Sequence, residues 1–137
     1  MKKRIPVSKI MSTDVQTVNT QNSLHDVKQI FEKDHIHHIP VVSGDRLLGM
    51  ISRTDLARVS FVADASDKSL STAMYDVLSI DQVMVKNVST VNPHTTIQEA
   101  TEILYTHDFH GLPVVDDGKV VGIVTTHDLL KFMLDNL

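Results

Sequence analysis

The sequence predicts an α+β fold made of two β-α-β-β-α repeats that share one core. Three observations predict it. The chain resembles itself at an offset of 73 positions: Met11 falls on Met84, and the match runs without a gap from Ile10 to Ala57. Each copy carries a helix-start signature followed by apolar residues at helical spacing. Each copy then carries two apolar runs separated by a turn of Gly and Asp. Self-similarity at a fixed period sets the architecture before local propensity is weighed, and it implies two related sites.

The elements follow in order. Asp14 to Val18 is short and rich in β-branched residues, which reads as a first strand. Ser23 opens a helix, with Asp26 three residues on at capping-box spacing. Leu24, Val27, Ile30 and Phe31 then form its buried face. The second copy repeats the pattern with Thr96 and Glu99 as cap partners and Ile97, Ala100, Ile103 and Leu104 as the face. Next, Ile39-Pro40-Val41-Val42 and Leu47 to Ile51 flank the turn Ser43-Gly44-Asp45, which reads as a β-hairpin. Its counterpart joins Pro113-Val114-Val115 to Val120–Val124 through Asp116-Asp117-Gly118-Lys119. Unbroken apolar runs of this kind suit strands covered on both faces. A closing helix follows in each copy, with Asp55 or Asp128 in its first turn. Thr54 is the expected N-cap of the first, and His127 is a poorer one at the matching place.

Between the copies, Arg58 to Ile80 is a connector. Ala57, Phe61, Val62 and Ala65 extend the closing helix, Asp67-Lys68-Ser69 is a turn candidate, and Leu70, Met74, Val77 and Leu78 form a second helical pattern. The expected division is 1–66 for the first repeat with its N-terminal segment, and 67–137 for the second with the connector helix. Lys28, Lys33 and Lys86 read as solvated surface, and Met50, Met74 and Met133 as core.

Composition narrows the function classes. The net charge of −4 argues against a basic nucleic-acid or membrane-binding face. The absence of Cys removes thiolate catalysis and thiolate zinc sites. The basic start Met-Lys-Lys-Arg is followed by no apolar h-region, and no apolar run approaches the roughly 18 residues of a membrane span, so a cytoplasmic protein is expected. No Walker-type loop and no nucleophile elbow is present, so no catalytic residues and no enzyme activity are expected.

Thr17-Val18, the run Ile39-Pro40-Val41-Val42 and Gly-x-x-Ser/Thr-x-x-Asp before a helix, present twice in register, resemble the cystathionine-β-synthase (CBS) domain. Two in tandem are similar to the CBS pair, or Bateman module. The likeness runs from about Val7 to Leu134. The resemblance implies a pseudo-two-fold pair that senses an adenosine-containing ligand in the cleft between repeats, with a homodimer as the usual assembly. It implies no required cofactor, only an adenine nucleotide (AMP, ADP or ATP) as regulatory ligand, and an effector protein that reads the change.

The chemistry of the motif agrees with that implication. A carboxylate in the first turn of a helix sits at the positive end of the macrodipole. It can accept bonds from ribose hydroxyls, as acidic residues do in dinucleotide folds. Asp55 and Asp128 are the ribose candidates; Ser52, Thr125 and Thr54 offer hydroxyls nearby, and the helix start offers N–H groups to a phosphate. The resemblance implies that one pocket takes Thr125, Thr126, His127 and Asp128 with Met11, Gln16, Ile36 and His37. The other takes Ser52, Arg53, Thr54 and Asp55 with Met84, Ser89, Phe109 and His110. His37 and His110 match in position before the two prolines and are candidates to face phosphate. His38 is a further candidate whose counterpart is Gly111. Histidine gains charge near pH 6.5, so phosphate binding through it strengthens on acidification. A metal site at His35, His37 and His38 needs a bent backbone, because residues 35 and 37 share one strand face and residue 38 the other. The competing functional reading is a dimerising scaffold with vestigial pockets.

Overall fold

The computed structural model describes residues 4–34, 36–62, 75–107 and 110–137, without the side chains of 60–62. Expectations that fall on Ala65, Asp67 to Leu70 and Met74 lie outside the described residues. The chain is α+β and divides into two compact units: Gln16–Val88, and Met1–Val15 with Ser89–Leu137.

In the unit Gln16–Val88, helix α1 (Leu24–Asp34) begins as its capping residues require. The Ser23 amide donates to Asp26 Oδ2 at 2.9 Å, and the Asp26 amide donates to Ser23 Oγ at 3.1 Å. The bond from the Ser23 amide holds the Asp26 carboxyl below its usual range. Leu24, Val27 and Phe31 are buried on one side, with Ile30 packed beside them. Strands β1 (His38–Ser43) and β2 (Arg46–Ser52) form an antiparallel hairpin closed between Ser43 and Arg46, with Gly44 at positive φ. Helix α2 (Arg53–Val62) follows directly, and a short α3 (Ile80–Val83) comes after the connector. Tyr75 is buried against the His25 ring, and its neighbour Asp76 lies 2.8 Å from His25 Nε2.

The other unit repeats this plan. Helix α4 (Ile97–Thr106) carries the full Thr96/Glu99 capping box and buries Ile97, Ala100 and Leu104. Strands β3 (Gly111–Asp116) and β4 (Lys119–Thr125) close through Asp117 and Gly118, both at positive φ, as a type I′ turn demands. Helix α5 (Thr126–Asp135) completes the unit. Both hairpins carry a register shift at matching places, between Val41 and Val42 and between Val114 and Val115. The extra residue in each pair is therefore Leu48 or Val121.

Four expectations are corrected. First, the opening strand shrinks to one parallel bridge per copy, Val18 to Val41 and Val91 to Val114. Asn19 Oδ1 takes the Gln21 amide at 2.8 Å and Asn92 Oδ1 takes the His94 amide at 2.8 Å, so a turn begins where the strand would continue. Second, where one shared core was expected, the buried residues among those described fall into two clusters. One holds Val18, Leu24, Phe31, Ile39, Ile80 and Met84 among others; the second holds Val7, Val91, Ile97, Leu112, Val114 and Val124 among others. The reason is an exchange of lead segments. The segment ahead of each repeat packs on the hairpin of the other copy: the Ser12 amide donates to the Ile123 carbonyl at 2.9 Å, and the Val85 amide to the Met50 carbonyl at 2.9 Å. Val7 and Ile80, at matching positions, are both fully buried by this packing. Third, Met133 is 56% exposed rather than core, because no residue of α5 is buried. The fourth concerns the caps of the closing helices, described next.

Candidate functional site at the closing helices

Ser52, not Thr54, caps α2. Its amide donates to Asp55 Oδ2 at 2.9 Å while its Oγ accepts from the Asp55 amide at 3.1 Å. Thr125, not His127, caps α5: its amide donates to Asp128 Oδ2 at 2.8 Å, its hydroxyl to the same oxygen at 3.1 Å, and its Oγ1 accepts from the Asp128 amide at 3.3 Å. The helices begin two residues earlier than expected because the hydroxyl–x–x–carboxylate spacing allows both bonds at once. Thr54 and His127 become exposed second residues of the helix. The same S/T-x-x-D/E rule that placed α1 and α4 was present here in Ser52–Asp55 and Thr125–Asp128.

The caps also set which amides remain for an anion. The Arg53 amide donates to the His37 carbonyl and the Thr126 amide to the His110 carbonyl, each at 3.0 Å. With the Asp55 and Asp128 amides taken by the caps, the Thr54 and His127 amides are the first-turn donors without a described partner. Each Asp has one oxygen, Oδ2, committed to its cap. Asp55 is buried at 8% exposure and has Arg58 Nη1 3.6 Å from its Oδ1. Asp128 is half-buried, and its Oδ1 has no described partner.

Arg53 is held elsewhere. Its Nε donates to the Ile36 carbonyl at 2.6 Å, its Nη2 donates to the Phe31 carbonyl, and the guanidinium lies 5.3 Å from the Phe31 ring centre. It thereby caps the C-terminal end of α1, whose last carbonyls have no helical partner. Among the described residues, Thr126, at the matching place, reaches the His110 carbonyl alone, through its amide and, at 3.3 Å, its hydroxyl.

Among the sequence-derived site residues, Gln16, Ile36, His37, His38, Met84 and Ser52 to Asp55 belong to the unit Gln16–Val88. Met11, Ser89, His110 and Thr125 to Asp128 belong to the other unit, and Phe109 lies outside the described residues. Within units, the structure brings His37 and Ile36 to Arg53, His110 to Thr126, Met84 to Gly49 and Met11 to Gly122. His37 and His110 are exposed; His38 is half-buried and pairs with Ser52 in the hairpin. None of these residues lines the polar groove of about 420 Å³ bordered by Thr90, Asn92, Glu99 and Asp117. Among the described residues no cluster of His, Asp and Glu is arranged to hold a metal, and His35 is outside them. No described helix is long and apolar enough to cross a membrane.

The motif glycines have a reason that their sequence alone did not disclose. A Cβ on Gly49 would lie 2.6 Å from the Val85 carbonyl oxygen and 2.8 Å from Met84 Sδ; one on Gly122 would lie 2.7 Å from Met11 Sδ and 2.9 Å from the Ser12 oxygen. Each is glycine because the lead segment crosses the strand there in backbone contact.

Two repeats with one capped-aspartate motif each are matched by the CBS domain family model, at residues 7–61 and 80–135. The chain belongs to the CBS domain family. It is 27% identical over 130 residues to the CBS domain-containing protein YhcV of Bacillus subtilis, covering 95% of this chain and 86% of that one. It is 30% identical over 129 residues to a homoserine O-acetyltransferase of Methanohalobium evestigatum, covering 93% of this chain. The chain spans only 24% of the length of that relative, and 22% of an inosine-5'-monophosphate dehydrogenase of Korarchaeum cryptofilum to which it is 31% identical. Among solved structures, the CBS domain pair of protein MJ0100, in complex with 5-methylthioadenosine and S-adenosyl-L-methionine, superposes with a TM-score of 0.81 at 26% identity, covering 98% of this chain and 100% of that one. The CBS domain of a CBS domain-containing membrane protein from Sphaerobacter thermophilus gives 0.79 at 28% identity, covering 93% and 87%.

Proposed function

We propose that this CBS pair is a ligand-sensing regulatory module that binds an adenine nucleotide (AMP, ADP or ATP) at its capped helix starts and passes the change to an effector protein. One observation carries the reading. Asp128 holds its cap through Oδ2, and among the described residues nothing takes Oδ1, so a half-buried, fixed carboxylate keeps one oxygen to accept ribose hydroxyls. Capping and sugar binding are then compatible functions of one side chain. The His127 amide, without a described partner, is the main-chain group suited to phosphate beside Asp128. The bound ligands of the MJ0100 pair, which carry adenosine without a phosphate, support the adenosine part of this choice. The reading assigns no catalysis to the chain. A ligand shifts such a module only by its unequal affinity for two arrangements, so the output depends on a partner that distinguishes them.

Thermal melts with AMP, ADP, ATP and S-adenosylmethionine test the proposal. A nucleotide at a hundred times its dissociation constant is expected to add about 2.7 kcal/mol of stability. Asp128→Ala and Asp55→Ala together are expected to abolish the shift relative to their own ligand-free melt. A shift with S-adenosylmethionine alone would move the ligand away from nucleotides. No shift with any of the four would sink the sensor reading.

A second reading, self-association as the main role, is favoured by α5. Leu130, Met133, Leu134 and the following Leu137 are exposed at 54%, 56%, 72% and 93%. Their spacing is unchanged when the order is reversed, so two antiparallel copies of this face would set Leu130 against Leu137 and Met133 against Leu134. Under this reading the protein elutes as a dimer and Leu134→Glu elutes as a monomer, with light scattering giving the mass. A monomeric wild type at tens of micromolar would remove it.

A further inference from the structure

Both closing helices place a basic residue three positions after the motif aspartate, and the two are held differently. Arg58 turns back to Asp55, its Nη1 3.6 Å from Oδ1. Lys131 turns forward to Asp135, its Nζ 2.9 Å from Oδ2, and this hydrogen bond raises the lysine's pKa above its usual value. The cause is one position. Four residues beyond the basic group the second copy has Asp135, and the first has Val62. A lysine with an acid at i+4 is drawn along the helix surface. Arg58 has no such acid, so Asp55 is the carboxylate left for it on its own helix.

We infer that the two ligand sites are unequal, the Asp128 site binding more tightly and Arg58 acting as a specificity-determining residue that competes with the ligand's hydroxyls for Asp55 Oδ1. This rests on the nucleotide-binding reading above. An approaching ribose must displace or share the guanidinium at Asp55, whereas Asp128 Oδ1 has no partner among the described residues. Arg58 is 71% exposed, so its hold is that of a solvated pair. Exposed pairs of this kind shift an equilibrium by up to roughly five-fold.

Calorimetric titration of AMP into the intact protein reads this directly. The wild type is expected to show two steps, the tighter lost in Asp128→Ala and the weaker lost in Asp55→Ala. Arg58→Ala is expected to tighten the weaker step by roughly two- to five-fold and leave the other unchanged. Asp135→Val is expected to do the reverse at the second site, weakening it by a similar factor as Lys131 turns back to Asp128. Equal steps in the wild type, or an Arg58→Ala variant whose weaker step weakens further, overturn the inference while leaving nucleotide binding intact. Absence of heat with AMP, ADP and ATP in every variant overturns the nucleotide reading and this inference with it. Melts of each ligand-free variant confirm that it is folded.

Discussion

Gly49→Ala is expected to lower stability by about 2–3 kcal/mol, in the range of overpacking a tight site. The new methyl group would meet the Val85 carbonyl at 2.6 Å, and that carbonyl is one half of a two-bond bridge to Met50. It cannot retreat without lengthening the bond from the Met50 amide, now 2.9 Å. Retreat would also pull Met84, which is 9% exposed, out of the core it fills. The matching Gly122→Ala is expected to cost less. Its nearest neighbour is the end of a flexible side chain, Met11 Sδ, and the backbone oxygen of Ser12 stands farther off at 2.9 Å. Met11→Ala in the Gly122→Ala background is therefore expected to recover part of the loss, whereas Met84→Ala does little for Gly49→Ala. Urea unfolding of the four proteins measures this order. Equal losses at the two glycines, or a loss under 0.5 kcal/mol at Gly49, would show that the lead segments yield freely and do not press on the strands.

Those lead segments were the part of the fold that the sequence concealed. Local chemistry was legible where it acts locally. Ser23 with Asp26 and Thr96 with Glu99 announced two helices, and the Gly-containing turns at 44 and 118 announced two hairpins. What covers the hairpins is a long-range choice. Residues 7–15 and 80–88 carry matching apolar side chains, Val7, Ile10 and Met11 against Ile80, Val83 and Met84, but that pattern marks a buried face without naming the strand it lies on. Only Gly49 and Gly122 hinted at a close crossing, and a lone glycine in a strand is compatible with several causes. The α5 stripe shows the complementary limit. Met133 read as core by residue type, but residue type does not tell whether anything covers it. At the site, the aspartates and hydroxyls were legible from the repeated motif. The roles within it were not, because Thr54 is as good a cap by type as Ser52, and only the reciprocal bond from Asp55 decides between them. Arg53 was legible as a cation near the site, yet its donors go to two main-chain carbonyls that no sequence pattern marks.

Phe31→Ala is expected to have the larger effect, a loss of about 3–5 kcal/mol, as for other buried aromatic truncations. The ring is 2% exposed and is the largest fully buried side chain among the described residues. It belongs to the cluster that joins α1 to Ile39, Val41 and Ile51 of the first hairpin. It also supports the site. The ring lies 5.3 Å from the Arg53 guanidinium, and Arg53 in turn ties the start of α2 to the Phe31 and Ile36 carbonyls. Removing the ring therefore leaves a cavity and loosens the arginine that opens the Asp55 helix. Phe31→Leu separates the two effects, since it keeps most of the apolar volume and loses the cation–π contact, worth about 0.5–1 kcal/mol at a partly exposed site. Arg53→Met keeps the stem and removes the donors, leaving two carbonyls to find other partners at about 1–3 kcal/mol in total. Urea denaturation followed by circular dichroism is expected to rank the losses Phe31→Ala first, Arg53→Met second and Phe31→Leu last. A Phe31→Ala loss below 1 kcal/mol would mean that the cluster closes around the missing ring, and Arg53 would then have to hold the start of α2 through its two carbonyls alone.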